Sequence, residues 1–500
     1  MSATHRYAAL DAISATSRPP PPSPIAMART FFGGSSRRTI AIAGGLLVLL
    51  AMILLHGRTD VDWRVGRYGA ARAYASMLNS NLREDVPQTA LSRQLRDDRA
   101  YLTGMMFGGQ SNQLLAMINL LFLGKELGRT IILPPFTAIH FSGQRRPFHL
   151  IYDLPRFYAV TAVRGIPMSY FKTPDPRNEQ ERMTCWSLME KYTGACNNHQ
   201  VETGFNEHEL YTDFWAVPAF PRSTENAVLE VDAIVQFLSN RTAQLEWVDK
   251  TRRELLPQRK LPADVDAASV VLENNLKPFF DPVHGVPPTD DEQLMCVDAT
   301  FYVGDSVPPP PYPQRVPLDP WRVGRAWREI GQHLHWVPEV QACADEYLMR
   351  IFEVKRAADI PPYISVHVRR GDFKDFHGNT FTPVSNYAAA VSDVRRKLQD
   401  RLDYPLSIAE RGGKPPLARF AITPTDYRVV ATTDEEPGSE LWGELENLGW
   451  KVVDHAKERT AEVLGEWYAA MLDGEILSRG QGFVGTQWST FSMVSGNRVE

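Results

Sequence analysis

Arg369 and Arg370 stand side by side in Tyr363–Phe373, YISVHVRRGDF, followed by Gly371 and Asp372. The planar guanidinium fork offers paired N–H donors and a charge that does not titrate away, which suits a phosphate or pyrophosphate. The residues before the doublet, Tyr363–Val368, are rich in β-branched types and read as a short buried strand. A buried parallel strand delivers whatever follows it to the carboxyl edge of its sheet, where open α/β folds bind ligands. The plain alternative is a surface ion pair between an arginine and Asp372.

A second stretch, Ala100–Pro135, could complete such a site. A strand over Ala100–Met105 runs into the turn Phe107-Gly108-Gly109-Gln110-Ser111-Asn112. A helix opening at Ser111 or Asn112 reaches about Leu127 and is apolar nearly all round, so it is expected to be buried. Gly128 ends it, and Thr130–Leu133 forms the next strand before Pro134 and Pro135. The paired glycines let the backbone come close to a ligand, and the helix N–H groups face the loop. Tight packing would explain the same glycines.

A third stretch closes the chain. GFVGTQWSTFS places a strand at Gly482–Gly485 and then Ser489, Thr490 and Ser492 in the first turn of a helix over Gln487–Val494. Hydroxyls at a helix N-terminus make a neutral phosphate cradle, or simply a cap. Between the second and third stretches the α/β rhythm repeats: a helix over Ser385–Arg401, a strand over Tyr427–Thr432 ending in Thr433-Asp434-Glu435, and a helix over Ser439–Leu448. A strand over Lys451–Val453 and a helix over Leu464–Leu477 follow. Such alternation implies parallel strands with helices on both faces. Elsewhere, Ser269–Leu272 and Ala299–Val303 are expected strands, and Asp319–Leu334 and Glu346–Lys355 expected helices. Pro308–Pro313 is expected to be a rigid extended loop.

The motifs also exclude classes. No GxGxxG with a following acid marks a nicotinamide dehydrogenase, and no GxxxxGK[ST] marks a P-loop enzyme. A net charge of −5 with no basic block argues against nucleic acid as a partner. Asp60-Val61-Asp62, in a stem beside the expected membrane span, and Asp264-Val265-Asp266, which no strand feeds, are poor candidates for a metal pair.

HVRRGDF (His367–Phe373), FGGQSNQ (Phe107–Gln113), ATTDE (Ala431–Glu435) and FVGTQWSTFS (Phe483–Ser492) resemble the GDP-fucose protein O-fucosyltransferase superfamily, over roughly Leu102–Val494. The resemblance implies an α/β, GT-B fold of two Rossmann-like domains facing a cleft, with GDP-fucose as donor. It further implies inversion at the sugar carbon and no obligatory metal or cofactor. Carried over by position, Arg369 or its neighbour Arg370 would hold the β-phosphate and Asn112 would lie near the transferring sugar. His367 and Asp434 would contact the guanosine, Ser489 and Thr490 the phosphates, and Gly108, Gly109, Gly371, Asp372 and Phe491 would complete the donor site. Some members carry a glutamate in the Gly-rich loop; here Gly108-Gly109-Gln110 holds no acid. The acceptor's proton would leave by water or to Asp372 or Glu435. The acceptor is expected to be Ser/Thr of a secretory-pathway protein. The alternatives are a glycan or polysaccharide acceptor, another deoxysugar donor, or a binding protein without turnover.

The remaining features place the chain in a cell. Thr39–Leu55, TIAIAGGLLVLLAMILL, is uncharged and almost wholly apolar, close to the length of a membrane span. Arg29, Arg37 and Arg38 precede it, so the first 38 residues are expected in the cytosol. The expected organisation is a disordered tail (1–38), a membrane anchor (39–56) and a luminal stem (57–99). A first Rossmann-like domain (100–358) and a GDP-sugar-binding Rossmann-like domain (359–500) follow, giving a single-pass type II protein of the endoplasmic reticulum or Golgi. The sequon Asn240-Arg241-Thr242 is compatible with that side of the membrane. In an oxidising lumen the four cysteines favour the pairings Cys185–Cys196 and Cys296–Cys343, with buried free thiols the alternative.

Overall fold

Each half of the protein is built on a parallel sheet, and in each the strand bearing a motif lies between partners. The computed structural model describes residues 69–83, 91–104, 106, 108–137, 145–172, 181–187, 210–216, 229–244, 246, 293–298, 300–304, 324–371, 373, 381–405 and 420–499. In the first sheet, strand β1 (Tyr101–Gly104) has all four residues buried and empties into helix α1 (Gln110–Glu126). The helix is apolar around its circumference and is buried from Ser111 and Gln113 through Gly124. It returns to strand β2 (Thr130–Leu133), parallel to β1, through Gly128, whose φ of +66° suits a residue without Cβ. The other strands are β3 (Gly165–Pro167), β4 (Glu181–Ser187), β5 (Leu210–Ala216) and β7 (Leu294–Asp298), the short pair β6 (Leu229–Glu230) and β8 (Val303–Gly304) standing apart. The sheet order is β3-β2-β1-β7-β4-β5, parallel throughout.

The second sheet has the order β11-β10-β9-β12 and is also parallel. Strand β9 (Tyr363–Val368) is buried at all six positions and lies between β10 (Arg428–Thr433) and β12 (Gly482–Gly485), with β11 (Lys451–Val452) at the edge. Helices α3 (Val384–Asp403), α4 (Glu440–Asn447), α5 (Trp467–Ser478) and α6 (Thr490–Val499) connect or follow these strands; α2 (Pro338–Phe352) precedes them.

One apolar core crosses from one half to the other. Trp467, Met471, Leu472, Ile476 and Val494 of the last two helices are buried in the same cluster as Phe136, Tyr152 and Trp336. Arg479 bolts α5 to α2 by pairing with Asp345 and donating to the Gln341 carbonyl at 3.0 Å. The tail of the chain therefore closes over the first half.

Several expectations change. The stretch expected as a stem joins the fold: Tyr74, Met77, Leu91 and Leu95 are buried in the core, and the Tyr74 hydroxyl donates to the Gly165 carbonyl at 2.9 Å. Apolar residues there are few, but a helix over 69–81 lays Tyr74 and Met77 on the first half, and the short helix Leu91–Gln94 brings in Leu91. Of the helix expected over Asp319–Leu334, the described residues 324–334 form a short helix, Arg325–Glu329, and a 3-10 turn, Gly331–His333. At Gly331 a Cβ would lie 2.6 Å from Trp327, so this bend needs its glycine. Thr300–Tyr302 is a 3-10 turn rather than a strand, with only Val303–Gly304 extended. Helix α2 starts at Pro338, well before Glu346, because proline is well suited to a helix's first turn. It stops at Phe352, where Glu353 turns left-handed. Cys296 is in a disulfide while Cys343 is a free thiol on α2, so Cys296 does not pair with Cys343. Cys296 lies on β7, in register with Cys185 of β4, far in topology from α2.

Among the described residues no helix is long and apolar enough to cross a membrane. The span Thr39–Leu55, Ser269–Leu272, Asp60-Val61-Asp62, Asp264-Val265-Asp266 and Pro308–Pro313 lie outside the described residues.

Candidate active site at the carboxyl edge of the second sheet

Because β9, β10 and β12 run in the same direction, their carboxyl ends bring Arg369, Asp434 and Thr486 to one edge. Arg369 Nη1 pairs with Asp434 Oδ2 at 2.8 Å, and the Arg370 backbone N–H donates to Asp434 Oδ1 at 2.8 Å. One carboxylate thus holds the side chain of the first arginine and the backbone of the second. Arg370 lies with its guanidinium 5.1 Å from the Phe381 ring centroid, and its buried Nε has no protein partner. Gly371 packs under this pair: a Cβ there would fall 2.3 Å from Asp434 Oδ2.

Thr486 is the hub on the other side. Its Oγ1 accepts the Arg369 backbone N–H at 2.8 Å, donates to the His367 carbonyl at 3.1 Å and meets the Tyr387 hydroxyl at 2.7 Å. Its own N–H donates to Ser492 Oγ at 3.0 Å, and Ser492 Oγ lies 2.7 Å from His367 Nδ1. Strand end, loop and helix start are tied through two hydroxyls. Ser489 is buried and its Oγ accepts the Ser492 N–H at 3.2 Å, capping α6. Thr490 and Phe491 follow in the first turn, and the Phe491 ring lies 4.9 Å from that of His367. Between Thr486 and Ser489, Trp488 is exposed and adopts a φ of +68°.

His367 is sealed in at 5% exposure. Burial, seconded by the charge of Arg369, pushes its imidazole down from 6.5 to about 3, so it stays neutral at any working pH. Below pH 6.5 the unfolded chain takes up a proton that the native chain refuses, so stability falls as pH drops toward 3. The slope from this residue is at most about 1.4 kcal/mol per pH unit. Urea melts from about pH 7 to about pH 5 should show a shallower loss in His367→Asn; an unchanged slope would contradict the assignment.

The Gly-rich turn arrives from the first half. Gly108 has a φ of +76°, and a Cβ on it would strike Asn112 Nδ2 at 2.5 Å, so the turn closes directly on Asn112, which is half-buried. Gly109 precedes α1 in extended conformation and caps it without a side chain. Gln113 rivets the loop: Nε2 donates to the Gly108 carbonyl at 2.7 Å and the Thr137 carbonyl at 2.9 Å, while Oε1 accepts the Thr137 N–H at 2.9 Å. Gln110 and Ser111 share a cavity with Phe491, so the first-half turn and the helix carrying the hydroxyls face each other.

The structure therefore brings together Arg369, Arg370, Gly371, Asp434, His367, Ser489, Thr490 and Phe491, while Gly108, Gly109 and Asn112 belong to the turn whose Gln110 and Ser111 share a cavity with Phe491. Asp372 lies outside the described residues. The motif reading missed Thr486 and Tyr387, and named Ser492 only as one of the hydroxyls of a phosphate cradle. Thr486 stands one residue past a strand end, where a hydroxyl can reach the neighbouring strand, but nothing in its own stretch says which neighbour that is.

Fold and site define a two-halved parallel α/β protein whose strand edges converge on a held arginine. The chain belongs to the GDP-fucose protein O-fucosyltransferase family, which matches residues 101–499. Among solved structures it is similar to POFUT1 in complex with GDP-fucose, at 13% identity and a TM-score of 0.41 over 81% of this chain and 94% of that one. It is also similar to NodZ alpha-1,6-fucosyltransferase co-crystallized with GDP, at 15% identity and a TM-score of 0.32 over 80% and 92%. No curated protein matches the chain. Membership rests on the match over residues 101–499.

Proposed function

We propose that this family member is an inverting glycosyltransferase of GT-B type that moves fucose from GDP-fucose to a hydroxyl acceptor, Ser/Thr of a secretory-pathway protein, without an obligatory metal. In that reaction the acceptor oxygen bonds to the anomeric carbon, the bond from that carbon to the β-phosphate oxygen breaks, and GDP leaves with the electron pair. A guanidinium beside that oxygen stabilises the departing charge more than it stabilises the bound donor, which lowers the barrier. The observation that supports this reading best is the placement of Arg369. It stands at the carboxyl edge of β9, its side chain oriented by Asp434 and its N–H by Thr486.

Asn112 would face the transferring sugar from the first half, and the N–H groups at the start of α6 would meet the phosphates. Asp434 serves here as the positioning partner of the arginines, with contact to the guanine an added role. Glu435 follows Asp434 at this edge, its N–H donating to Thr433 Oγ1 at 3.3 Å. The proton of the acceptor would pass to it, to Asp372 or to water. The membrane anchor at Thr39–Leu55 and a luminal catalytic domain belong to the same proposal. The exposed sequon at Asn240 is compatible with them.

One observation favours a second reading, a sugar-nucleotide-binding protein without turnover: Gln110 ends a Gly-rich turn that holds no acid. A donor screen separates the two. The full chain is incubated with GDP-fucose and with other nucleotide sugars against a secretory-protein extract, and the transferred mass is read. The mass of one deoxyhexose, from GDP-fucose alone, is expected. Transfer from a different donor, or donor binding by calorimetry with neither transfer nor hydrolysis, would overturn the proposal.

A further inference from the structure

Strand β11 lies next to β10, the strand that ends in Asp434, so the chain leaving β11 starts from the same carboxyl edge as the arginines. From Val453, whose N–H donates to the Ala431 carbonyl at 2.9 Å, it runs through Asp454 and His455 to the short helix Thr460–Val463. It then meets the first half. A Cβ on Gly465 would stand 3.3 Å from Arg146 Nη2, and the Trp467 ring at the start of α5 lies 6.4 Å from that of Phe136. Residues 453–466 thus form a strap from the arginine edge to the first half.

Four side chains pin this strap. His455 Nε2 lies 2.9 Å from Asp473 Oδ1 on α5, and His455 Nδ1 lies 3.0 Å from Thr460 Oγ1. The fully buried Thr460 hydroxyl also meets the Tyr347 hydroxyl of α2, whose ring lies 5.9 Å from that of His455. The Thr460 N–H donates to the His455 carbonyl at 3.0 Å, and Arg459 between them turns left-handed at a φ of +52°. A residue other than glycine keeps that backbone only while its surroundings hold it.

The charges acting on the imidazole are all acidic: Asp473 of α5, and Asp454 and Glu458 of its own loop. The basic groups nearby are committed elsewhere. Arg459 Nε pairs with Glu462 at 2.8 Å, and Arg350 of α2, over the Tyr347 ring, pairs with Glu458 at 2.9 Å and Glu346 at 3.8 Å. From α2 the group facing His455 is the neutral Tyr347 hydroxyl, on which the Cys343 thiol also acts. Burial alone would push the imidazole down, but the charge and hydrogen bond of Asp473, followed by Asp454 and Glu458, outweigh it and hold His455 above 6.5. With both ring nitrogens protonated, Nε2–H donates to Asp473 and Nδ1–H to Thr460. With Nδ1 bare, the Thr460 hydroxyl must turn round to donate to it, and the positive charge facing three acids is gone.

We propose that His455 is a pH-sensitive latch, which when protonated pairs with Asp473 and fixes the strap between the arginine edge and the first half, and on losing its proton lets the strap loosen. Because the native chain holds this proton more tightly than the unfolded one, the latch is fully engaged below 6.5 and is lost as pH rises above it. The sign is opposite to that of His367, whose effect is felt below 6.5. The latch acts whatever ligand the edge binds.

The test is amide hydrogen exchange of the full chain, corrected for the intrinsic pH dependence of exchange and read by mass on peptides covering residues 454–464. Protection there is expected to fall by about threefold or more between about pH 6 and about pH 8. His455→Gln keeps a donor and an acceptor but cannot take the charge, so in it the fall should disappear. Should that variant fail to fold, the isosteric Asp473→Asn supplies the same comparison. Protection that is unchanged or rises toward the higher pH in the unaltered protein, or a fall of the same size in the variants, would overturn the proposal.

Discussion

Arg369→Ala is expected to fold normally and to lose transfer by about 100-fold or more, the scale observed when one preorganised donor is removed from an anion-stabilising site. The side chain is partly exposed at a strand end and carries no part of the core, so its removal leaves both sheets intact. Its loss strips the edge of its oriented guanidinium and leaves Asp434 Oδ2 without its 2.8 Å partner, so an unpaired carboxylate would face the incoming phosphates. Arg369→Lys should recover little, because a point charge cannot reproduce the planar fork. The check is kcat/KM for fucose transfer together with a melt of each variant. Near-normal turnover in Arg369→Ala would remove this residue from the chemistry.

Gly371→Ala should be nearly as damaging, although it adds one methyl group and removes nothing. The added Cβ would stand 2.3 Å from Asp434 Oδ2 and 3.1 Å from its Cγ. An unconstrained carboxylate would swing aside at little cost. This one is held on two sides, by Arg369 through Oδ2 and by the Arg370 N–H through Oδ1, so moving it misplaces both arginines. A shift of about 1 Å at a reacting centre can cost about 100-fold in rate, and a loss of that order is expected with only a small change in melting temperature. Activity at the level of the unaltered protein would show that Asp434 does not orient Arg369 during turnover.

The elements that position the site were those most legible in the sequence. Tyr363–Val368, Gly482–Gly485 and Thr130–Leu133 have the observed bounds of the strands. Each is a compact apolar run closed by arginine, glycine or proline, and buried parallel strands leave little ambiguity in such runs. The helix after the Gly-rich turn was readable for the same reason, its apolar character extending around the whole circumference. The middle of the chain was less readable because its short elements depend on contacts made elsewhere. The 3-10 turn at Gly331–His333 exists because Gly331 fits against Trp327, and no local periodicity reports that fit. The Cys296–Cys343 pairing failed likewise, because one cysteine lies on a central strand and the other on α2, while Cys196 lies outside the described residues.

Within the site, residue types pointed to the arginines but not to what holds them. Thr486, Ser492 and Tyr387 form one connected set only when β9, β12 and α3 are side by side. Trp488, exposed and left-handed in the loop between Thr486 and Ser489, gave no signal of its conformation in the sequence.

The most direct measurement is a crystal structure of the full chain with GDP bound. The account predicts the β-phosphate at the carboxyl edge of β9, with a guanidinium nitrogen of Arg369 within about 3.2 Å of one of its oxygens. A β-phosphate bound away from that edge, with Arg369 still paired to Asp434 and out of its reach, would contradict it.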